Sequence, residues 1–144
     1  VEQLKKTLEL DPNFAEGHFW LAMVYAQQGQ HQAALTKYQQ VWNQWQHVQA
    51  LAGVGYVYGL MGRSEDARQV LKKMQALSRQ KYVQPIRFAQ IYTALGEKDQ
   101  AFAWLEKEYE DRGVGLMGLR TEPMWDPLRS DPRFTNLLQK MNLH

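Results

Sequence analysis

Four histidines, His18, His31, His47 and His144, are the side chains best suited to ligate a transition metal or to move a proton near neutral pH. None pairs with another histidine or a carboxylate at metal-ligand spacing, and no H-E-x-x-H run exists. All four read as surface or packing residues. The chain has no cysteine, which removes disulfides, thiolate metal sites and a cysteine nucleophile. Carboxylates gather at Glu106, Glu108, Glu110 and Asp111, and again at Asp126 and Asp131. Acid–base catalysis needs such a pair held against one substrate. The first group instead fits a solvated helix face, and each of the last two stands directly before a proline, as a helix N-cap would. Gly113, Gly115 and Gly118 lack the spacing and the following Lys-Ser or Lys-Thr of a phosphate-binding loop. These residues predict no catalytic centre, no metal site and no cofactor, and so no enzyme.

Recognition is the chemistry that remains. From Gly17 to Gly62 the only formally charged side chain is Lys37, while nine glutamines fall between Gln27 and Gln49 and enclose Trp42 and Trp45. Charge depletion with aromatic enrichment marks the core of an interface, so Trp42 and Trp45 are candidates for self-association into a homodimer. Glutamine equally solvates a plain surface, and that alternative stays open. With 144 residues and a net charge of +2, the chain is long enough for one domain with a sizeable core. It is too nearly neutral to call for a nucleic-acid partner. Its apolar runs fall far short of the ~18 residues that span a bilayer, so no membrane insertion is expected. The chain opens on Val1 without a leader pattern and reads as a piece of something longer.

The elements that must position any recognition surface show themselves as a repeat. Gly29, Gly62 and Gly96 are 33 and 34 residues apart. Four residues before each glycine stands Tyr25, Tyr58 or Tyr92, and five after each stands Ala34, Ala67 or Ala101. Leu21-Ala22, Val54-Gly55 and Phe88-Ala89 lie upstream in register, and Tyr38, Leu71 and Leu105 downstream. The spacing predicts a helix, a left-handed glycine turn and a returning helix, with a small residue where the partner helix approaches. Ser64 is expected to cap the second returning helix, ahead of the acidic first turn of Glu65 and Asp66. Pro85 is tolerated only in a first turn, so the third unit should start near Gln84. One hairpin cannot bury its own stripe, so the units must stack. One period back, Leu4 matches Tyr38, and Leu8-Glu9-Leu10-Asp11-Pro12 reads as the end of a returning helix.

These residues resemble the tetratricopeptide repeat, whose pattern W-x2-L-G-x2-Y…A-x3-F…P recurs every 34 residues. The Trp position is not kept, holding His18, Leu51 and Pro85, and Gln46 and Arg79 replace the terminal Pro after units one and two. The resemblance implies an all-α, helical-hairpin solenoid wound as a right-handed superhelix. It divides the chain into a half-repeat over 1–11, repeats over 13–46, 47–79 and 82–111, and a closing segment over 112–144. It also implies a concave face lined by first helices, which by register carries Phe19, Trp20, Met23, Gln49, Tyr56, Ile86, Arg87 and Gln90. Chaperone-binding members grip a peptide's terminal carboxylate with Lys, Asn and Arg there. This apolar set with one Arg suits instead an extended or helical peptide with hydrophobic anchors.

After about Asp111 the period fails. Phe134, Leu137, Leu138 and Met141 recur at helical spacing and form an apolar stripe that could cover the end of the stack. The string Trp125-Asp126-Pro127-Leu128-Arg129-Ser130-Asp131-Pro132-Arg133-Phe134 resembles the segment closing such arrays in bacterial multidomain regulators. Those include winged-helix transcription regulators, cyclase-type signalling proteins and Ser/Thr kinases. That resemblance implies a protein–protein interaction module, the sensory or scaffolding part of a larger cytoplasmic regulator, or a periplasmic one if it is membrane-anchored. Two rivals stand beside it. One is a structural oligomerisation arm without a peptide ligand. The other is a helical-repeat RNA-binding module, which Phe19, Ala52 and Ile86 at a base-reading register disfavour.

Overall fold

The computed structural model describes residues 2–11 and 13–142. Pro12 and His144 therefore lie outside the described residues. The described residues fold into eight α-helices: α1 (Glu2–Leu10), α2 (Ala15–Gln27), α3 (His31–Trp45), α4 (Val48–Leu60), α5 (Ser64–Ser78), α6 (Pro85–Leu95), α7 (Lys98–Glu110) and α8 (Pro132–Asn142). Two 3-10 turns, Val114–Gly118 and Pro123–Leu128, join α7 to α8. No strand occurs among the described residues, as the helical period requires. The helices pack in adjacent pairs, α2 on α3, α4 on α5 and α6 on α7. The central α4 also touches α3 and α6, and α1 packs on α2.

The Tyr–Gly–Ala register has a backbone cause. Gly29, Gly62 and Gly96 adopt φ of +77°, +77° and +78°, the left-handed region where a Cβ is penalised. The next amide, of Gln30, Arg63 or Glu97, then donates back to the carbonyl of Tyr25 at 2.9 Å, Tyr58 at 2.9 Å or Tyr92 at 3.0 Å. This is the six-to-one bond of a Schellman turn. The same three residues accept, at their own carbonyls, the amides of Ala34, Ala67 and Ala101 at 3.0, 3.1 and 3.0 Å. One residue thus closes the first helix and opens the second. The three alanines are fully buried where the paired helices meet.

That double duty displaces one expected cap. Ser64 is the first residue inside α5, and Arg63 holds the cap position with no side-chain cap bond. The glycine turn has already committed Arg63 to Tyr58, which pulls the helix start one residue earlier. Arg63 also lies 4.6 Å over the Tyr58 ring and pairs with Asp66 at 2.8 Å. In the third unit Gln84 is the N-cap and Pro85 the first helical residue, as its fixed φ and missing N–H dictate. Small residues at the helix crossing admit the neighbour: a Cβ on Gly55 would lie 2.6 Å from Ile91 Cδ1.

Two apolar clusters form the core. The larger unites α2 to α6 around Leu35, Leu51, Val57, Met74 and Ile91. The smaller joins α6 and α7 to the closing segment through Leu105, Leu116, Leu119, Trp125, Leu128, Phe134 and Leu137. Phe134 and Leu137 are buried, and Leu138 and Met141 pack beside them half-exposed. The apolar stripe of α8 does cover the end of the stack. Asp131 caps α8, its Oδ1 accepting the Arg133 amide at 2.9 Å. Asp126 is no cap: it sits inside the second 3-10 turn and pairs with Arg129 at 2.6 Å. Two prolines in six residues, Pro123 and Pro127, hold that stretch in a tight turn and keep it from starting a helix.

Candidate protein-binding site

Six of the eight residues expected on the recognition face come together. Phe19 and Met23 from α2, Gln49 and Tyr56 from α4, and Arg87 and Gln90 from α6 line a cavity of about 220 Å³. Gly53 shares the α4 wall, and Tyr38 enters from α3. The two belong together: a Cβ on Gly53 would stand 2.5 Å from Tyr38 Cε1. Glycine at 53 therefore lets the phenol pass across α4 to the first-helix side. The Tyr38 ring meets Phe19 edge-on, with centroids 5.6 Å apart and planes at 65°.

The other two lie elsewhere. Ile86 is 2 % exposed and belongs to the smaller core cluster. The closing segment covers it, so closely that a Cβ on Gly115 would lie 2.7 Å from Ile86 Cγ2. Trp20 is 59 % exposed and off the cavity. Successive helix residues are about 100° apart, so Phe19 and Trp20 cannot both face one strip. The closing segment also supplies two walls that periodicity did not reveal, Glu122 and Met124. They reach the cavity because the second 3-10 turn packs on α6. The closing residues thus cover part of the first-helix face as well as the end of the stack.

Neither tryptophan proposed for self-association presents a free ring. Trp42 is 8 % exposed within the larger core, with Lys73 Nζ 5.2 Å from its ring centre. Trp45 is half-buried and stacks on His18 with centroids 6.0 Å apart. His18 is itself buried, its Nδ1 3.3 Å from Lys37 Nζ.

Glu108 corrects the expectation of a solvated acidic face. It is fully buried, and its Oε1 accepts the Ile86 amide at 2.9 Å. Pro85 has no N–H and Gln84 offers α6 no side-chain cap, so the exposed amides at that helix start draw a carboxylate from α7. The chain can fold over it because residue 113 is glycine: a Cβ there would fall 1.4 Å from Glu108 Oε2.

The electrostatics of the cavity follow from burial. Burial, reinforced by Tyr56, pushes the Tyr38 phenol well above its usual range, and Arg87 opposes the shift. Burial, then the Asp126 carboxylate, also raises Tyr56. Both remain neutral hydroxyls at physiological pH. Burial lowers the Arg87 pKa, against the pull of Glu108, Glu122 and Tyr38. The cavity thus combines neutral donors with one half-buried cation, Arg87, and one carboxylate, Glu122. Among the described residues no group of three His, Cys, Asp or Glu is placed to hold a metal ion, and no helix is long and apolar enough to cross a membrane.

Helices packed in adjacent pairs, turned at a repeated left-handed glycine, are consistent with a tetratricopeptide-type helical repeat. A family model described as tetratricopeptide repeat matches residues 4–36, from α1 through α2 into α3. No curated protein and no solved structure matches the chain.

Proposed function

We propose that the protein is a non-catalytic protein–protein interaction module that receives a peptide segment of its partner along the first-helix face. The supporting observation is the convergence of Phe19, Met23, Gln49, Tyr56, Arg87 and Gln90, from three successive first helices, around one cavity. A face built on packed helices is pre-organised, so binding has few ordering costs. The resemblance of residues 125–134 to the closing segments of bacterial regulators supports a place as the sensory or scaffolding part of a larger signalling protein. Truncating a buried aromatic anchor typically costs a few kcal/mol of binding. Tyr56→Ala should therefore weaken the partner captured by pull-down by about tenfold or more in calorimetry, with helical content unchanged. An unchanged affinity would move recognition to another surface.

A structural arm that joins copies of the chain is the second reading, and Trp20 favours it. This ring is 59 % exposed within the segment whose only formal charge is Lys37. Sedimentation of Trp20→Glu against the unmodified protein tests it. A monomer in both removes the idea.

A further inference from the structure

The cavity on the first-helix face holds more hydrogen-bonding capacity than the protein uses. The Tyr38 hydroxyl, open to the cavity, makes no hydrogen bond among the described residues, and the same holds for the Tyr56 hydroxyl and the side-chain amides of Gln49 and Gln90. Arg87 donates its Nε to Gln84 Oε1 at 3.1 Å, and among the described residues no carboxylate forms an ion pair with it. Glu108 Oε1 accepts the Ile86 amide, and Glu108 and Glu122 act on Arg87 only at longer range. A half-buried guanidinium with no carboxylate in direct contact keeps donors free for one. Two neutral phenols beside it add donors that fit a carboxylate oxygen.

Size and shape narrow the occupant. At about 220 Å³ the cavity is smaller than the ~300–1,000 Å³ of pockets that enclose whole small ligands. It admits one side chain. Phe19 and Met23 from α2 and Met124 from the closing segment add apolar surface to the lining.

We propose that this cavity takes an internal aspartate or glutamate side chain of the partner peptide, its carboxylate held by Arg87 with the Tyr38 and Tyr56 hydroxyls, and its apolar neighbours resting on Phe19, Met23 and Met124. The inference rests on the first-helix face being the peptide site. Glu122, which lines the same cavity, carries the same charge as the incoming group and opposes it. The site is thereby tuned from within: Arg87 attracts and Glu122 repels.

The test uses the full chain and short, amide-capped peptides of Leu, Ala and Ser with Glu, Gln or Lys at the centre. A further Gln peptide ends in a free carboxylate, and binding is read by fluorescence anisotropy up to millimolar concentration. The Glu peptide should bind about tenfold or more tightly than the Gln peptide. Arg87→Gln should erase that preference while leaving the weaker apolar binding. Glu122→Gln, at a partly exposed position, should tighten the Glu peptide and leave the Gln peptide unchanged. Equal binding of the Glu and Gln peptides, or a preference that survives Arg87→Gln, overturns the inference. If Tyr56→Ala still weakens both peptides, the groove itself stands. Tightest binding of the free-carboxylate peptide makes the site a terminus reader and also overturns it. No binding of any peptide overturns the groove reading.

Discussion

Gly53→Ala tests the link between the repeat and the cavity on the first-helix face most directly. Inside an exposed helix, replacing glycine by alanine stabilises by about 1 kcal/mol. In α4 the new methyl would instead stand 2.5 Å from Cε1, 2.6 Å from Cδ1 and 2.7 Å from Cζ of Tyr38, where ordinary carbon contacts lie near ~3.5–4.0 Å. The ring must withdraw by roughly 1 Å, and overpacking of this kind costs about 1–3 kcal/mol. The net expectation is a loss of about 1 kcal/mol in urea unfolding, read as a lower midpoint at unchanged slope. Tyr38→Leu supplies the control, since Leu71 and Leu105 occupy the corresponding positions of the other units. In that background the clash is gone, and Gly53→Ala should stabilise by about 1 kcal/mol. The double-mutant cycle should therefore return a coupling of about 2 kcal/mol. A stabilised single variant, or a coupling near zero, would refute the claim that Gly53 holds open the path of Tyr38 into the cavity.

The remaining predictions concern the turns and the closing segment. Gly62 has φ +77° and nothing within 4 Å of where an added Cβ would stand, so Gly62→Ala isolates backbone strain and should cost about 1 kcal/mol by urea unfolding. Phe134→Ala should cost about 3–5 kcal/mol, because the ring is 3 % exposed between α7 and α8; an unchanged midpoint would make α8 a mere appendage. The Asp131 carboxyl is held down to about 2, first by the Arg133 guanidinium and then by the Arg133 amide. Because the folded value is depressed, its stabilisation is complete above the unfolded value of ~3.9 and is lost as pH falls toward the folded one. The Asp131 carboxyl carbon shift should titrate near 2 while exposed aspartates titrate near ~4, and a midpoint at that ordinary value would remove the cap.

Some of this architecture was legible from residue spacing because its causes are local. A left-handed glycine, the carbonyl four residues before it and the amide five after it are tied by two successive local bonds, so Tyr25, Gly29 and Ala34 announce the hairpin wherever it recurs. Pro85 and Gln84 mark a helix start for the same reason. The apolar stripe of α8 was legible too, since a period of 3.6 along eleven residues needs no partner to be seen.

The decisions that make the site were tertiary. Glu108 looks like part of a solvated face until α6 arrives with a proline and an uncapped start that needs an acceptor. Ile86 sits at a groove register, but the closing segment folds onto it and turns it into core. Trp42 and Trp45 stand in a charge-poor stretch, yet Trp42 is buried in the larger core and Trp45 stacks on His18. Tyr38 matches two leucines in the repeat, and only the absence of a Cβ on Gly53, across α4, lets it line the cavity on the first-helix side. Glu122 and Met124 belong to no repeat at all. Sequence alone determined which helices form and how each pair turns, because those forces act within a few residues. Which side chains are left facing the cavity depended on contacts between distant segments, and no local pattern records them.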